Sequence, residues 1–442
     1  MIRRGAAVLG VVVLAGCAYY NTLYNSERLF EEAEAHRRAG RDSLAGALYR
    51  DVIRKTSDAY RPGRTGEEAA ETLALLGRAQ LRAGQAREAR AALLEAATLT
   101  ARPELRSTIL VHLAFASARL GDEEEALARV EDALRGALAG EALGEAYLLR
   151  GRLRLQEAET PAAWEDLELA SAADPLVSVD AGVERLRWGV HYRAFDRAES
   201  AVDELLVDPR AGERHDTIAA LVSAAATRWG PATAAALLDD VDSSPWDRMD
   251  RSTLQLEHAG LLLQAGETEQ AEEEAWRVAR GRGESVTEAR LLLADWQLGR
   301  ARDLSDAQAV VPILLPVADD PRAAELVDAV DDLDRYSSIG LDDPLGWFAA
   351  AEVARNRLGA PTLARGLYLA YADTDPTDPW ASKALLAALS VSSDEEDRTW
   401  MRGRLEAHGD SPYVQAARGG STAGLEALEE ELQERLREIA SR

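Results

Sequence analysis

A short pattern recurs along this chain, in which a glycine is followed five residues later by an alanine. Glycine readily adopts the left-handed conformation that ends a helix, and alanine lets a second helix approach closely. Each copy therefore predicts the turn of a helical hairpin and the start of its second helix. The copies are RAGRDSLA at 38–45, RAGQAREA at 82–89, RLGDEEEA at 119–126, QAGETEQA at 264–271 and RLGAPTLA at 357–364.

Small residues also recur before the turn glycines. Gly77 lies seven residues before Gly84, and Leu93 lies nine residues after that turn. Gly77, Ala114 and Gly151 follow one another at steps of 37 residues. Small residues midway along two helices let their backbones approach, and the larger residue fills the space between hairpins. A single hairpin cannot bury its apolar face, so we expect the hairpins to stack into an array.

The pattern resembles the tetratricopeptide repeat over residues 26–417. The resemblance implies an all-α fold, an α-solenoid of tetratricopeptide-like helical hairpins. The step of 37 residues is longer than the family's usual ~34. Aromatic residues make up only 5% of the chain, and its many alanines and leucines favour helices. A helical bundle or a long coiled coil is the alternative, but glycine within every unit breaks the heptads of a coiled coil.

The repeat register divides the chain into six predicted segments. The last segment has leucines at helical spacing, which predicts one amphipathic helix that covers the end of the array, with an oligomerising coiled coil as the alternative. The segments are a signal peptide at 1–16, a lipidated tether at 17–25, N-terminal repeats at 26–210, irregular helical repeats at 211–342, C-terminal repeats at 343–420 and a capping helix at 421–442.

The amino terminus has the pattern of an export signal. Arg3 and Arg4 precede the apolar run GAAVLGVVVLAG, which would span about 18 Å as a helix, too short for a hydrocarbon core of about 30 Å. The sequence LAGC at 14–17 matches the bacterial lipobox and so resembles a lipoprotein signal peptide. The resemblance implies cleavage before Cys17 and acylation of that residue. An ordinary signal peptide with a chance cysteine and an uncleaved anchor are the alternatives.

Cys17 is the only cysteine in the chain. A lone thiol in an exported protein is a liability unless it is modified or paired, so we predict that Cys17 is the lipidation site. Two or three acyl chains would hold the protein stably at a membrane. By the same resemblance, Ala18 in place of a retention aspartate implies the periplasmic face of the outer membrane. We expect Tyr19, Tyr20 and Tyr24 to lie near the membrane interface, which amphipathic rings favour.

Two further motifs resemble parts of envelope lipoproteins. The sequence YYNT at 19–22 is similar to the mature start of repeat-containing envelope lipoproteins. The sequence DSPY at 410–413 resembles junctions between repeats in the lipoprotein component of the β-barrel assembly machinery and its relatives.

Charge and motif content exclude several classes of function. The formal net charge of −26 would repel phosphate backbones, so we expect no nucleic-acid partner. The chain contains no GxSxG, HExxH or P-loop motif, and no two of its six histidines share helical spacing. We therefore predict that the protein is not an enzyme and holds no metal or other cofactor. An enzyme whose site is assembled across repeats is the alternative.

Arginines mark the candidate binding surface. In tetratricopeptide arrays the first helix of each unit lines the concave surface, and the resemblance places five arginines on or near it. Arginine binds carboxylates through paired hydrogen bonds, so this set predicts a docking site for an acidic peptide or a carboxyl terminus. The alternative is that they cover alanine-rich surface or pair with glutamates of the next repeat. The candidates are Arg37, Arg78, Arg82, Arg119 and Arg152.

These features together predict a lipid-anchored periplasmic scaffold. Its helical-repeat groove would bind envelope proteins or peptides, in outer-membrane or envelope assembly. A periplasmic glycan- or ligand-binding regulator of a cell-wall enzyme is the alternative. The fold alone does not choose between partners, because repeat arrays hold many kinds of ligand.

Overall fold

The computed structural model describes residues 23–60, 63, 65–157, 160–283, 285–420 and 422–441. Within these residues helices follow one another along the chain and no strand occurs, so the predicted all-α fold is confirmed. No helix in this part of the chain is both long and apolar enough to cross a membrane. The structure divides into two compact units, the first ending at Glu267 and the second beginning at Thr268.

The first unit is built from helical hairpins. Helices α3 to α10 pack in sequential antiparallel pairs, and each odd-numbered helix from α3 to α9 also packs against the next odd-numbered helix. The odd-numbered helices therefore share one face of the unit. The helices are α1 at 23–38, α2 Asp42–Ala59, α3 Glu67–Arg82, α4 Ala86–Leu99, α5 Pro103–Arg119, α6 Glu123–Leu134, α7 Gly140–Gln156, α8 Thr160–Ala173, α9 Pro175–Tyr192, α10 Phe195–Val207, α11 His215–Trp229, α12 Pro231–Ala236 and α13 Arg248–Ala265.

The turn glycines adopt the predicted left-handed conformation. The backbone angle φ is 67° at Gly40, 81° at Gly84 and 83° at Gly121, and it is 89° at Gly266 and 61° at Gly359. All five copies of the sequence pattern therefore end a helix in the way that was predicted. The hairpin character of the tetratricopeptide-like fold follows from these turns.

Small residues bring the two helices of a hairpin together. A Cβ atom at Gly77 in α3 would lie 2.5 Å from Cγ of Leu93 in α4, closer than side chains tolerate. A Cβ at Gly151 in α7 would lie 3.0 Å from Cδ2 of Leu167 in α8. Ala114 in α5, which stands at the equivalent position, is fully buried. The close approach that the repeat spacing predicted is confirmed at these positions.

The first unit ends in an arrangement that differs from the hairpins. A 3₁₀ turn at Pro209–Arg214 follows α10, and α11, α12 and α13 then pack against one another. Helix α12 has only six residues, too few to carry the repeat pattern. Trp246 is buried here, and its Nε1 donates a hydrogen bond to the carbonyl oxygen of Asp208 at 2.9 Å.

The second unit has one hydrophobic core that extends from α15 to α24. Its centre holds Phe348, whose ring lies edge-on to those of Tyr368 and Tyr371 at 5.5 and 5.4 Å. The helices are α14 Thr268–Ala279, α15 Ser285–Arg300, α16 Leu304–Gln308, α17 Val311–Leu314, α18 Pro321–Ile339, α19 Leu345–Asn356, α20 Pro361–Thr374, α21 Ala381–Val391, α22 Glu395–Glu406, α23 Pro412–Ala417 and α24 Leu425–Ala440.

The last helix of the second unit is amphipathic. Helix α24 packs against α18 and α19 and buries Leu432 and Ile439. Polar contacts hold it in place: Lys383 Nζ lies 2.7 Å from the Glu429 carboxylate, and Trp380 donates to the Leu428 carbonyl at 3.1 Å. Its apolar stripe therefore covers part of the core of this unit.

The turn between α9 and α10 has no glycine. At the end of α9 the backbone of Arg193 is left-handed, with φ of 57°, and its side chain is exposed. A side chain in this conformation costs about 1–2 kcal/mol. We therefore expect Arg193→Gly to raise the free energy of unfolding by about 1 kcal/mol, measured as an increased urea-unfolding midpoint.

The opposite change at a turn that already has glycine provides the matched control. Gly121→Ala should lower the same midpoint by a similar amount, because alanine would be forced into the left-handed region. An Arg193→Gly variant with an unchanged or lower midpoint would contradict the interpretation of this turn.

Candidate functional site

A cavity of about 490 Å³ lies on the face that the odd-numbered helices share in the first unit. Its wall contains four of the five arginines that the sequence singled out, together with Arg214. Each of these comes from a different element, because the hairpins stack with the same face inward. Four acidic residues also line the cavity, so the wall carries five positive and four negative side chains. The predicted arginines in the wall are Arg37, Arg82, Arg119 and Arg152.

Glu34 stands at the centre of a chain of ion pairs beside the cavity. Its carboxylate accepts hydrogen bonds from Arg82 Nε at 2.8 Å and from Arg37 Nη2 at 3.0 Å. Arg82 continues to Glu145 at 2.6 Å, and Arg37 Nη1 lies 4.0 Å from Asp180. The charges alternate from α9 through α1 and α3 to α7. The chain of ion pairs therefore connects the first hairpin to the fourth and fifth.

Further ion pairs neutralise other arginines of the wall. Arg214 Nη2 lies 3.0 Å from Asp180, and Arg152 Nη2 donates to Glu184 at 3.0 Å. Arg38, on α1, pairs with Glu141 of α7. Helix α1 is thus held to α7 and α9 by charge as well as to α2 by packing.

Arg119 differs from the other arginines of the wall. Within the described part of the chain no carboxylate forms an ion pair with it; its Nη1 donates to the carbonyl oxygen of Leu81, and the side chain reaches solvent. Burial lowers the pKa of Arg119, and the positive charges of Arg82 and Arg37 lower it further. An anion placed beside this guanidinium could therefore form charge-assisted hydrogen bonds that no described carboxylate already forms.

Arg78 does not line the cavity, although it lies on α3 one turn before Arg82. Its guanidinium stacks over the ring of Phe30 at 4.5 Å from the ring centroid. Its Nε is buried and has no hydrogen-bond partner among the described residues. The structure therefore brings four of the predicted arginines to one cavity, whereas Arg78 packs against Phe30 and does not line it.

The arginines beside the cavity control the ionisation of two buried side chains. Burial by itself would raise the pKa of Glu34, but the charges of Arg82 and Arg37 outweigh burial and lower the pKa to about 2. The pKa of His112 is well below its ordinary value, because burial and the positive charges of Arg78 and Arg82 disfavour the imidazolium. At neutral pH Glu34 is therefore ionised and His112 is neutral.

The acidic partners of the arginines were not identified from the sequence. Glu34 follows the small residue of the first hairpin directly, a position that Arg78 and Arg152 occupy in the second and fourth hairpins. A glutamate at the repeat position where other hairpins carry arginine is a signal that could have identified Glu34. Glu145 and Asp180 have no such signal, because their roles depend on contacts between distant hairpins.

The predicted membrane-proximal residues fall mostly outside the described part of the chain. Cys17, Tyr19 and Tyr20 lie outside it, as does the predicted signal peptide at 1–16. Tyr24 is described, and its side chain is 57% exposed on α1. Residues 23–25, predicted as the end of the tether, are helical, since α1 already includes them.

Comparison with known proteins finds only solved structures of low similarity to this chain. No family model matches the chain, and no curated protein matches it. A tetratricopeptide repeat protein from Parabacteroides merdae is 21% identical, with a TM-score of 0.31, over 61% of this chain and 97% of that one. The human IFIT1 dimer with m7Gppp-AAAA is 11% identical, with a TM-score of 0.28, over 80% of this chain and 72% of that one. These values transfer no function to this chain.

The ionisation of Glu34 makes the stability of the first unit depend on pH. A carboxyl group whose pKa falls from 4.5 to about 2 on folding stabilises the folded state above pH 4.5. The shift corresponds to about 3 kcal/mol, and this stabilisation is lost as the pH falls from 4.5 toward 2. We expect Glu34→Gln to lower the urea-unfolding midpoint at pH 7, with a difference from wild type that disappears toward pH 2.

An exposed glutamate of the same unit provides the control. Glu88 lies in the first turn of α4 and is exposed, so Glu88→Gln should leave the pH dependence unchanged. If the wild-type and Glu34→Gln midpoints stayed equally far apart from pH 7 to pH 2.5, the ion-pair account of Glu34 would be wrong.

Proposed function

We propose that this protein is a lipid-anchored scaffold at the periplasmic face of the outer membrane, and that it holds protein partners during envelope assembly. Its tetratricopeptide-like fold is consistent with an interaction scaffold. The lipobox-like sequence LAGC at 14–17 supports the anchor. The arginine-lined cavity of the first unit supports recognition of an acidic protein segment.

Arg119 is the observation that carries this proposal. The chain has a net charge of −26, so most of its surface repels an acidic peptide. In the cavity wall the other arginines are paired with carboxylates, whereas Arg119 lacks a carboxylate partner among the described residues. A carboxylate of the partner would bind Arg119 through charge-assisted hydrogen bonds. The positive charge of Arg119 in an otherwise acidic protein would also orient the partner as it approaches.

The distance between anchor and cavity supports a partner near the membrane. Helix α1 already includes residue 23, six positions after Cys17. Six extended residues span at most about 20 Å. The same helix carries Glu34 and Arg37 of the ion-pair chain. The first unit would therefore stand close to the lipid surface, where the termini or loops of membrane proteins are accessible.

The anchor is tested by Cys17→Ser. The acyl chains supply the membrane affinity in this proposal, so we expect the variant to move from the membrane fraction to the soluble periplasmic fraction. Incorporation of labelled palmitate into the wild type, and its loss from the variant, provides an independent measurement. A Cys17→Ser protein that kept its membrane association and its label would contradict lipidation at this residue.

The partner site is tested by charge reversal at Arg119. With a photo-crosslinking amino acid at Ala118 in the cavity wall, we expect the full chain in native membranes to form discrete crosslinked adducts. Arg119→Glu should reduce their yield at least about tenfold, because the anion loses its partner and meets a negative charge.

Arg135 offers a control with the same change of charge. Its side chain is 71% exposed and pairs with Asp132, near the end of α6. Arg135→Glu should therefore leave the adducts at Ala118 intact. Equal yields from wild type and from Arg119→Glu would show that the cavity is not the partner site, whereas the Cys17→Ser result bears on the anchor alone.

A further inference from the structure

The second unit contains a cavity of different chemistry, with a volume of about 380 Å³. Leucines form most of its wall: Leu333 of α18 and Leu363 and Leu367 of α20 are buried, and Leu304 of α16 is partly buried. The ring of Trp347 in α19 completes the apolar surface. The cavity is therefore suited to an apolar group that leaves water.

The position of Trp347 is set by the backbone beside it. A Cβ atom at Gly340 would lie 2.6 Å from Cδ2 of Trp347, so the indole occupies space that only a glycine leaves open. A Cβ at Gly346 would lie 2.3 Å from the backbone nitrogen of Gly340, which shows how tightly this turn is folded. The aromatic wall is thus preformed rather than dependent on a ligand.

A cation stands at the edge of this apolar surface. Arg302 lines the cavity and is exposed, and its guanidinium forms no ion pair with any described residue. The adjacent acids are engaged by backbone groups: Asp303 accepts from the Asp306 N–H at 3.0 Å, and Asp306 accepts from the Arg302 N–H at 2.9 Å. These carboxylates cap α16 and do not pair with the guanidinium. Arg302 can therefore receive an anionic group of a ligand.

Two further residues favour a protein chain over a small ligand as the occupant of this cavity. Ser337 lines the cavity, is 6% exposed, and has no hydrogen-bond partner for its Oγ among the described residues. Leu341 also lines the cavity, yet its side chain is 78% exposed. A small ligand in the cavity would leave Leu341 in water, whereas the rest of a protein chain would cover it.

We propose that this cavity binds the carboxyl-terminal apolar residue of a protein partner. The terminal side chain packs between Leu333 and Trp347, the terminal carboxylate pairs with Arg302, and the preceding residues cover Leu341. Ser337 supplies a hydroxyl for the peptide backbone. This inference does not rest on the cavity of the first unit or on the lipid anchor, since it uses residues of the second unit only.

The test uses the purified full chain and a fluorescein-labelled peptide, Gly-Ser-Gly-Ala-Leu, with either a free carboxylate or a carboxyl-terminal amide. Fluorescence anisotropy measures both affinities. We expect the acid to bind about tenfold or more tightly than the amide, because the amide cannot form the charge-assisted pair with Arg302. Arg302→Gln should reduce this preference to less than about twofold.

Gly366 allows the cavity to be filled without a clash. It lies in α20 and lines the cavity, and a Cβ atom there would meet nothing within 4 Å. Gly366→Leu should abolish peptide binding while retaining the fold, since leucine is also the better helix former. Gly403 of α22 is the matched control, because it is exposed, helical and equally free of nearby atoms. Gly403→Leu should bind the peptide as the wild type does.

Each other outcome overturns the proposal. No binding of the acid peptide at millimolar concentration, or equal binding of acid and amide, excludes a site for a carboxyl terminus. Binding of dodecanoate without binding of the peptide would identify a fatty-acid site instead. Peptide binding that survives Gly366→Leu, with the variant folded by circular dichroism, would place the peptide elsewhere. Arg119→Glu should not change peptide binding. A failure of the second-unit site can therefore be distinguished from a failure of the first-unit site.

Discussion

The close approach of two helix backbones is the constraint on which the hairpins of the first unit depend. At Gly77 the space for a Cβ atom is occupied by Leu93, and at Gly151 Leu167 leaves almost none. Because the small residues Gly77, Ala114 and Gly151 follow one another at steps of 37, the second, third and fourth hairpins present equivalent positions on the same face. A residue type that is repeated at one position in the sequence thereby becomes a cluster in space. The arginine-lined cavity is the consequence, since its cations come from helices that the stacking makes neighbours.

A cluster of arginines on one face would repel itself without acids of matching geometry. Glu34 supplies the central one, because it stands where other hairpins carry arginine and receives both Arg37 and Arg82. Burying these charges costs solvation free energy, which well-formed hydrogen bonds and ion pairs must offset. Removal of one partner is therefore expected to destabilise the fold more than removal of both partners. The same network leaves Arg119 without an acid of its own. The site therefore combines a neutralised framework with one cation that is available to a ligand.

The cavities of the two units differ in their chemistry. The cavity of the first unit is defined by charge, and that of the second by leucines and Trp347 with one arginine at its edge. Charge recognition acts at longer range and favours orientation, whereas an apolar cavity acts by contact and shape. The proposed scaffold would distinguish partners by two independent criteria.

The sequence by itself determined the all-α fold, the positions of the turn glycines and the small residues that bring helices together, because these are local requirements of backbone geometry. It also placed four of the arginines that line the cavity. It predicted irregular repeats at 211–342 without fixing their number and full register, since α12, α16 and α17 are too short to carry the periodic pattern. Only the tertiary structure decided which arginine of the first-unit cavity lacks a carboxylate, that Arg193 takes a left-handed turn without glycine, and that Gly340 makes room for Trp347. These features depend on the angles between stacked helices, which join residues far apart in the chain and leave no trace in a local pattern.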